Sequence, residues 1–518
     1  LAMFWDVFRA VCSGASMYSQ SLLPTDADFA QLVRTATTSW AYASGTGISA
    51  PNAPWLLVLM VFSVLSCGHV ATAVGLVFFL SAPVMVFSFW ALAGIFTRSD
   101  AVRCVTALLW YAMALSMGLY ADADVAMLTV MMFLPAAFAF SFRAVGMYRT
   151  EDLVKPRASV QAAALAALCF IPVVAAEPQL LLPLMLTFLT FLFFVRAHKP
   201  TLLLIPLPTA FVCAPTLVNV VRFAKDGTWR QLFGSIMLPS VSRDGGPIVA
   251  NLSDMLSRVF GIDAGHGWWG YAVVAVLGLI TVLAAVSLVL PFVLRASRMM
   301  WVAIVAGFMT SVLSAAVAVA VDVTMLPGAA YAMLGLLACI CMVAGGAVRR
   351  FTMLRQQGGA GAVEVEGRGS KVTPVAARVG RTVLVCLLAV SVVVCMGFDY
   401  AEHDRGQVRT SDSGLPMVSA DFLEQDDARR VLALRADSAG SVSYNVMRTG
   451  RGDLMDSSPA QRVEVLSGRL DGDSRTIAQD CAQLLANADS DAIAELAKLG
   501  FGGIYVVKQN GNKAQREA

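Results

Sequence analysis

Charge is what this sequence has least of. Of its 518 residues only 14% are charged and 58% are hydrophobic, whereas about a quarter of a soluble domain is charged. So few charges cannot cover a water-facing surface, and the apolar excess lies in long blocks. That excludes a soluble enzyme, a disordered scaffold and a disulfide mini-protein, and leaves a polytopic membrane protein with a soluble end. Four histidines are too few for a histidine-rich metal site. The ten cysteines show no paired spacing of the kind that marks zinc or a disulfide framework. Cys104, Cys169, Cys213, Cys339, Cys341, Cys386 and Cys395 fall inside apolar runs and read as small core residues; Cys12, Cys67 and Cys481 stand apart. A net charge of +3 gives no reason to expect nucleic acid as a partner.

Other absences narrow the function. No G-x-x-x-x-G-K-[ST] occurs, and the one G-x-G-x-x-G match, Gly265 to Gly270, opens an apolar span instead of following a strand, so a cytoplasmic nucleotide-sugar site is not expected in this piece. The Gly-rich stretch 356–379 is a flexible linker. The apolar runs hold almost no ionisable residue, which counts against a proton-driven pump or an ion channel. No inverted repeat is visible, which counts against a secondary transporter. The chain opens on Leu1, and no basic segment with a cleavage site precedes the first apolar run. The expectation is a fragment or processed piece whose upstream part is missing.

What is present is hydrophobic length. A bilayer core of about 30 Å needs about 20 apolar residues in helix. Ten stretches meet or nearly meet that need: 71–96, 101–120, 125–142, 159–176, 178–195, 200–220, 270–294, 299–322, 325–348 and 381–398. An eleventh, 54–67, is too short to span and reads as an interfacial or re-entrant helix. Lys and Arg set the orientation. Short connections at Arg98 and Arg103, at Arg143, Arg149, Lys155 and Arg157, at Arg196 and Lys199, at Arg295 and Arg298, and from Arg349 to Arg381 carry the basic residues. The alternate connections, at Asp122 and Asp124, at Glu177 and around Asp322, carry none. The expected architecture is therefore a helical membrane domain over 71–398 in the plasma membrane. Residues 1–70, the loop 221–269 and the tail 399–518 lie outside.

The outside segments have local signatures. Leu1, Phe4, Trp5, Phe8, Val11 and Cys12 share one helical face, giving a helix that lies on the membrane or packs on protein. Thr25 after Pro24 reads as an N-cap, with Asp26 and Asp28 in the first turn; Phe29, Leu32, Val33 and Trp40 continue a helical stripe, and 45–54 is a loop. Asp26 and Asp28 read either as carboxylates favoured by the helix dipole or as an external acid/base or metal pair. Trp268 and Trp269, directly before a span, read as an interfacial aromatic belt or as a sugar-stacking platform. His266 is an exposed loop residue, a general base or a phosphate ligand. In the tail, Arg430-Val-Leu-Ala-Leu-Arg435, Ser441-Val-Ser-Tyr-Asn-Val-Met447, Arg462-Val-Glu-Val-Leu466 and Gly503-Ile-Tyr-Val-Val507 read as strands. Ile477, Cys481, Leu484 and Leu485 form a helical stripe, and a second helix over 491–499 ends at Gly500. About 100 residues suffice for a small α/β domain.

The order of these features resembles the polytopic GT-C-like region of large actinobacterial cell-envelope glycosyltransferases, in which a family-2 glycosyltransferase domain comes first. The resembling residues are Trp40 with Ala50-Pro-Asn-Ala-Pro-Trp55, Arg98-Ser-Asp-Ala-Val-Arg103 before Leu109-Trp-Tyr-Ala112, Gly265-His-Gly-Trp-Trp269, and Ala494-Glu-Leu-Ala-Lys-Leu-Gly-Phe-Gly-Gly-Ile-Tyr-Val-Val507. The likeness lies in hydropathy and turns and includes no diagnostic catalytic motif. It implies envelope polysaccharide synthesis with a polyprenyl-phosphate-linked sugar, alongside an upstream or partner glycosyltransferase domain. The alternative is a non-catalytic module that holds, exports or presents a lipid-linked glycan. Transfer at the outer face needs a carboxylate for the acceptor's proton and cations for the departing phosphate. Asp26 and Asp28 are the candidates for the base. Arg222, Lys225, Arg230 and Arg243 are the candidates for phosphate, with Arg222 and Lys225 at headgroup depth after the 200–220 span. A divalent metal is compatible with this set, and nothing in the sequence requires one.

Overall fold

The computed structural model describes residues 4–19, 22, 24–38, 40–43, 46–49, 51–147, 159–195, 199–226, 229, 232–233, 240–242, 267–290, 294–317, 326–359, 372–402, 408–412, 415–426, 429–438, 441–448, 472–486 and 490–506. The first elements are α1 (Trp5–Cys12), β1 (Ser16–Tyr18), α2 (Phe29–Thr37), β2 (Trp40–Ala43), β3 (Thr46–Ser49) and α3 (Trp55–Leu65). Of the two readings of the first helix, packing on protein holds. Phe4 meets Phe78 edge-on at 5.3 Å and Phe8 meets Phe79 at 5.1 Å, while Trp5 stays half exposed.

Two expectations need correction. Helix α2 is capped by Asp28, not Thr25. The Asp28 side chain accepts from the Gln31 amide, and the Gln31 side chain accepts in return from the Asp28 amide. This reciprocal box satisfies two orphan donors at once, and Thr25 has no helical turn to cap. Trp40 does not extend the helical stripe, and 45–54 is not all loop. Helix α2 stops at Thr37, and Trp40–Ala43 pairs antiparallel with Thr46–Ser49 as a hairpin. Helix α3 has 11 residues, a rise of about 16 Å, too short to cross. It ends where Cys67 and Gly68 take positive φ (58° and 92°), which reverses the chain into the next helix.

The ten predicted apolar stretches lie largely on helix: α4 (Val70–Phe96), α5 (Asp100–Ser116), α6 (Val125–Ala144), α7 (Val160–Ala176), α8 (Leu181–Phe194), α9 (Lys199–Leu204), α10 (Pro206–Val212), α11 (Ala214–Arg222), α12 (Gly267–Ala285), α13 (Leu294–Val317), α14 (Leu326–Gly359) and α15 (Val372–Glu402). Fewer than ten are long enough to span, however. Among the described residues six helices qualify by length and composition, or seven if α9–α11, bent by 74°, is one span. Helices α5 and α7 have 17 residues each, about 25 Å of rise. The first stops in a turn in which Gly118 has φ 75°. The second stops at Glu177, held extended before Pro178, as the residue before proline prefers. The core is tightly packed where α13 crosses α14: a Cβ on Gly307 would lie 2.7 Å from the Gly328 carbonyl oxygen and 2.8 Å from the Ala332 nitrogen. Trp110 is wholly buried, donates its indole N–H to the Met131 carbonyl at 3.0 Å and stacks on Phe89. Among the cysteines read as core, Cys213, Cys339, Cys341 and Cys395 are buried, but Cys104 and Cys386 are exposed.

Strands tie distant segments together at one face of the bundle. β5 (Arg409–Ser411) pairs with β1, Ser16 opposite Ser411. Met17 and Val408 enter the same apolar core as Phe78 of α4. A four-stranded sheet runs in the order β4 (Ser240–Ser242), β7 (Ser441–Met447), β6 (Arg430–Ser438), β8 (Phe501–Val506), with β8 parallel to β6 and the other pairs antiparallel. α17 (Gly472–Ala486) and α18 (Ser490–Lys498) cover one side through Ile477, Cys481 and Leu496. α16 (Met417–Glu424) covers the other through Leu423 and Phe422. Three of the four strands read in the tail are present; Arg462–Leu466 lies outside the described residues. Gly500 has φ 88° after α18, as its C-cap reading requires.

Candidate functional site

Asp26 and Asp28 are exposed on the segment that leads into α2. Asp28 is held by its cap bonds, 2.7 Å from the Gln31 nitrogen. The segment is fixed from below: the Thr25 amide donates to the Ser16 hydroxyl at 2.7 Å, and the Ser19 hydroxyl donates to the Asp122 carbonyl oxygen. Ser19 thus ties the segment to the connection between α5 and α6, and Ser16 holds Thr25.

Arg222 ends α11 and is exposed, its guanidinium 5.5 Å from the Phe223 ring. A cation there is favoured by the helix dipole. Lys225 is exposed in the single turn Ala224–Asp226. Arg230, Arg243 and His266 lie outside the described residues. Trp268 and Trp269 stack at 4.1 Å and 30°. Trp269 fills the space beside Gly397, where a Cβ would come within 2.7 Å of its ring. Trp268 is 66% exposed. One ring is thus anchored and holds the other outward at the head of α12.

The sequence reading passed over a second set of acids. Asp124 caps α6, accepting from the Met127 amide at 3.0 Å. Glu177 joins α7 to α8 and accepts from the Gln179 side-chain amide at 3.3 Å. The Gln179 carbonyl oxygen accepts in turn from the Ser314 hydroxyl of α13 at 2.8 Å. All four side chains are buried. Burial pushes Asp124 up to about 6, with the charge of Asp122 adding to it and the Met127 amide opposing it. Burial, and after it the charge of Asp124, raises Glu177 well above the carboxylate range. Both carboxyls thus bind a proton more tightly than a free carboxylate does, the direction of shift that general acid–base chemistry uses. Trp55 of α3 donates to Thr129 at 3.1 Å, so α3 packs against the first turns of α6, the helix that Asp124 caps. In the sequence, both acids stand in short connections free of Lys and Arg, a signal read there only for topology. Among the described residues no group of three or more His, Cys, Asp or Glu side chains could hold a metal ion.

No family model matches the sequence, and no curated protein matches it. In structure, the chain is similar to the arabinofuranosyltransferase AftD from Mycobacteria, solved by single-particle cryo-EM, with a TM-score of 0.44 and 12% identity. The match covers 89% of this chain and 31% of that one. A superposition this loose sets neither fold family nor activity.

Proposed function

We propose that this chain is the GT-C-like membrane region of a glycosyltransferase that moves a sugar from a polyprenyl-phosphate carrier into a cell-envelope polysaccharide at the outer face. The observation that carries this reading is the Asp124–Glu177 pair. Two buried carboxyls with no cationic partner among the described residues destabilise the fold, and groups kept at such a cost are concentrated at functional sites. They lie where a lipid-linked donor would present its sugar, at helix ends beside the N-terminal segment. Asp26 and Asp28 are exposed carboxylates on the same segment, open to an acceptor hydroxyl from solvent. Arg222 and Lys225, with Arg230 and Arg243, supply positive charge for the departing phosphate; His266 adds a base or a phosphate ligand, and Trp268 a ring for a sugar.

This reading places 1–70, 221–269 and 399–518 outside the plasma membrane. The strand pairs are compatible with it: segments joined as β1–β5 and β4–β7 share a face, which demands an even number of crossings between them, a demand met by ten crossings, six before β4 and four after, and equally by the six helices long enough to span. The test uses the full-length protein in vesicles with a polyprenyl-phosphate sugar and an acceptor glycan. Losing one essential acid or base costs about 100- to 10,000-fold in rate. That loss is expected for Asp124→Asn or Glu177→Gln and for one of Asp26→Asn and Asp28→Asn. If all four transfer sugar at the wild-type rate, these carboxylates take no part, and the chemistry belongs to another domain.

A further inference from the structure

Helix α16 turns one side to the sheet and leaves its first turn bare. Leu423 is buried and Phe422 half-buried against Val431, Ala433 and Met447. Met417 and Val418 are 80% and 82% exposed. Among the described residues outside the apolar helices, no other large hydrophobic side chains are as open. An apolar pair this exposed at the tip of an otherwise polar helix marks a surface that meets something apolar.

The chain fixes where that tip can be. β5 ends at Ser411, paired with Ser16, and the neighbouring Met17 and Val408 are buried in the membrane bundle's own core. Five residues lie between Ser411 and Met417, a reach of at most about 22 Å for extended chain. Burial, and after it the nearby Tyr18 of β1, raises the Tyr505 hydroxyl, so β8 also stays close to this anchor. The tip of α16 therefore stays within that reach of the end of the bundle that carries β1 and β5. Tyr400, in the last turn of the span that leads to β5, is 74% exposed, as an aromatic at a membrane interface is expected to be.

We infer that Met417 and Val418 insert into the outer edge of the bilayer and seat the tail sheet on the lipid surface. The insertion is shallow. Asp421 and Glu424, exposed one turn and two turns further on, stay in the headgroup layer or above it, because a carboxylate does not enter hydrocarbon without neutralising.

A photoreactive benzoylphenylalanine placed singly at Met417, Val418 or Ile493 tests this. Ile493 is the control, half exposed on α18. The full chain is reconstituted in phosphatidylglycerol–phosphatidylethanolamine vesicles whose acyl chains carry an alkyne, then irradiated. The expected result is a lipid-sized mass increase and alkyne signal at 417 and 418, and none at 493. Adducts to a second copy of the chain, or no lipid adduct at either position, would overturn the inference. Met417→Ser with Val418→Ser guards against an effect of the label itself. This unlabelled double variant should keep the wild-type melting temperature in detergent and gain it less fully than wild type on transfer to vesicles. An equal gain would also overturn it.

Discussion

At Asp124 one carboxyl caps a helix and is buried at the same time, and the two roles pull its proton in opposite directions. Burial wins, because the group ends near 6 rather than at the usual value near 4. The folded state therefore holds this proton more tightly than the unfolded chain. Stability from this site is complete below about pH 4 and falls as pH rises through about 6, by about 3 kcal/mol for a shift of about two units. Asparagine keeps the cap and removes the charge. Asp124→Asn should thus melt higher than wild type at pH 7.5 and at the same temperature near pH 4, in a detergent melting assay. A lower melting temperature at pH 7.5 would mean that the ionised form is stabilised in the fold. Asp28 gives the complementary case. Asp28→Ala should lose about 0.5–2 kcal/mol of cap stability while Asp28→Asn loses little, so a lost rate in the asparagine variant reports chemistry, not folding. The cap itself was legible as Asp28-Phe-Ala-Gln31, a D-x-x-Q that outranks Thr25. The Asp124–Glu177 coupling was not, because 53 residues and a whole hairpin of helices separate its members.

Single elements divide along the same line. β6, β7, α17 and α18 follow from alternation, helical stripes and Gly500, since their cores are built from their own residues. The bend in α9–α11 does not follow from hydropathy, which sees only one apolar block over 200–220. Pro206, Pro208 and Pro215 were the available sign: proline removes a backbone donor and crowds the preceding turn. Helix contacts are still harder to read, because a glycine looks the same whether it faces lipid or backbone. Gly307 and Gly278 separate the two situations. A Cβ at Gly307 meets backbone atoms of α14, whereas at Gly278 it meets nothing within 4 Å. Alanine in place of glycine favours helix by about 1 kcal/mol, and overpacking costs about 1–3 kcal/mol. Gly307→Ala should lower the melting temperature and Gly278→Ala should hold or raise it. Equal shifts in the two would show that α13 and α14 are not in close contact at Gly307.

Across the whole molecule, the least legible feature is the joining of 16–18 to 409–411 and of 240–242 to 441–443. Strands of three residues carry no periodicity, and nothing local names their partners. Their pairing can be trapped. Ser16→Cys with Ser411→Cys places two thiols on directly opposed residues. If that face lies outside the cell, the disulfide should form without added oxidant, as exported compartments permit. A pair that stays reduced in cells and oxidises only after lysis would put the face in the cytoplasm. The same ladder orders the protein's biogenesis. β1 is made early, and its partner is translated nearly four hundred residues later, after every intervening helix has been inserted. Throughout synthesis β1 and β4 stand as open strand edges, which template wrong pairing when left uncovered. Closure of this face is thus the last step of assembly, and a slow one, since distant partners must find each other. A chain stopped before β5 would complete its membrane helices yet leave two strand edges uncovered.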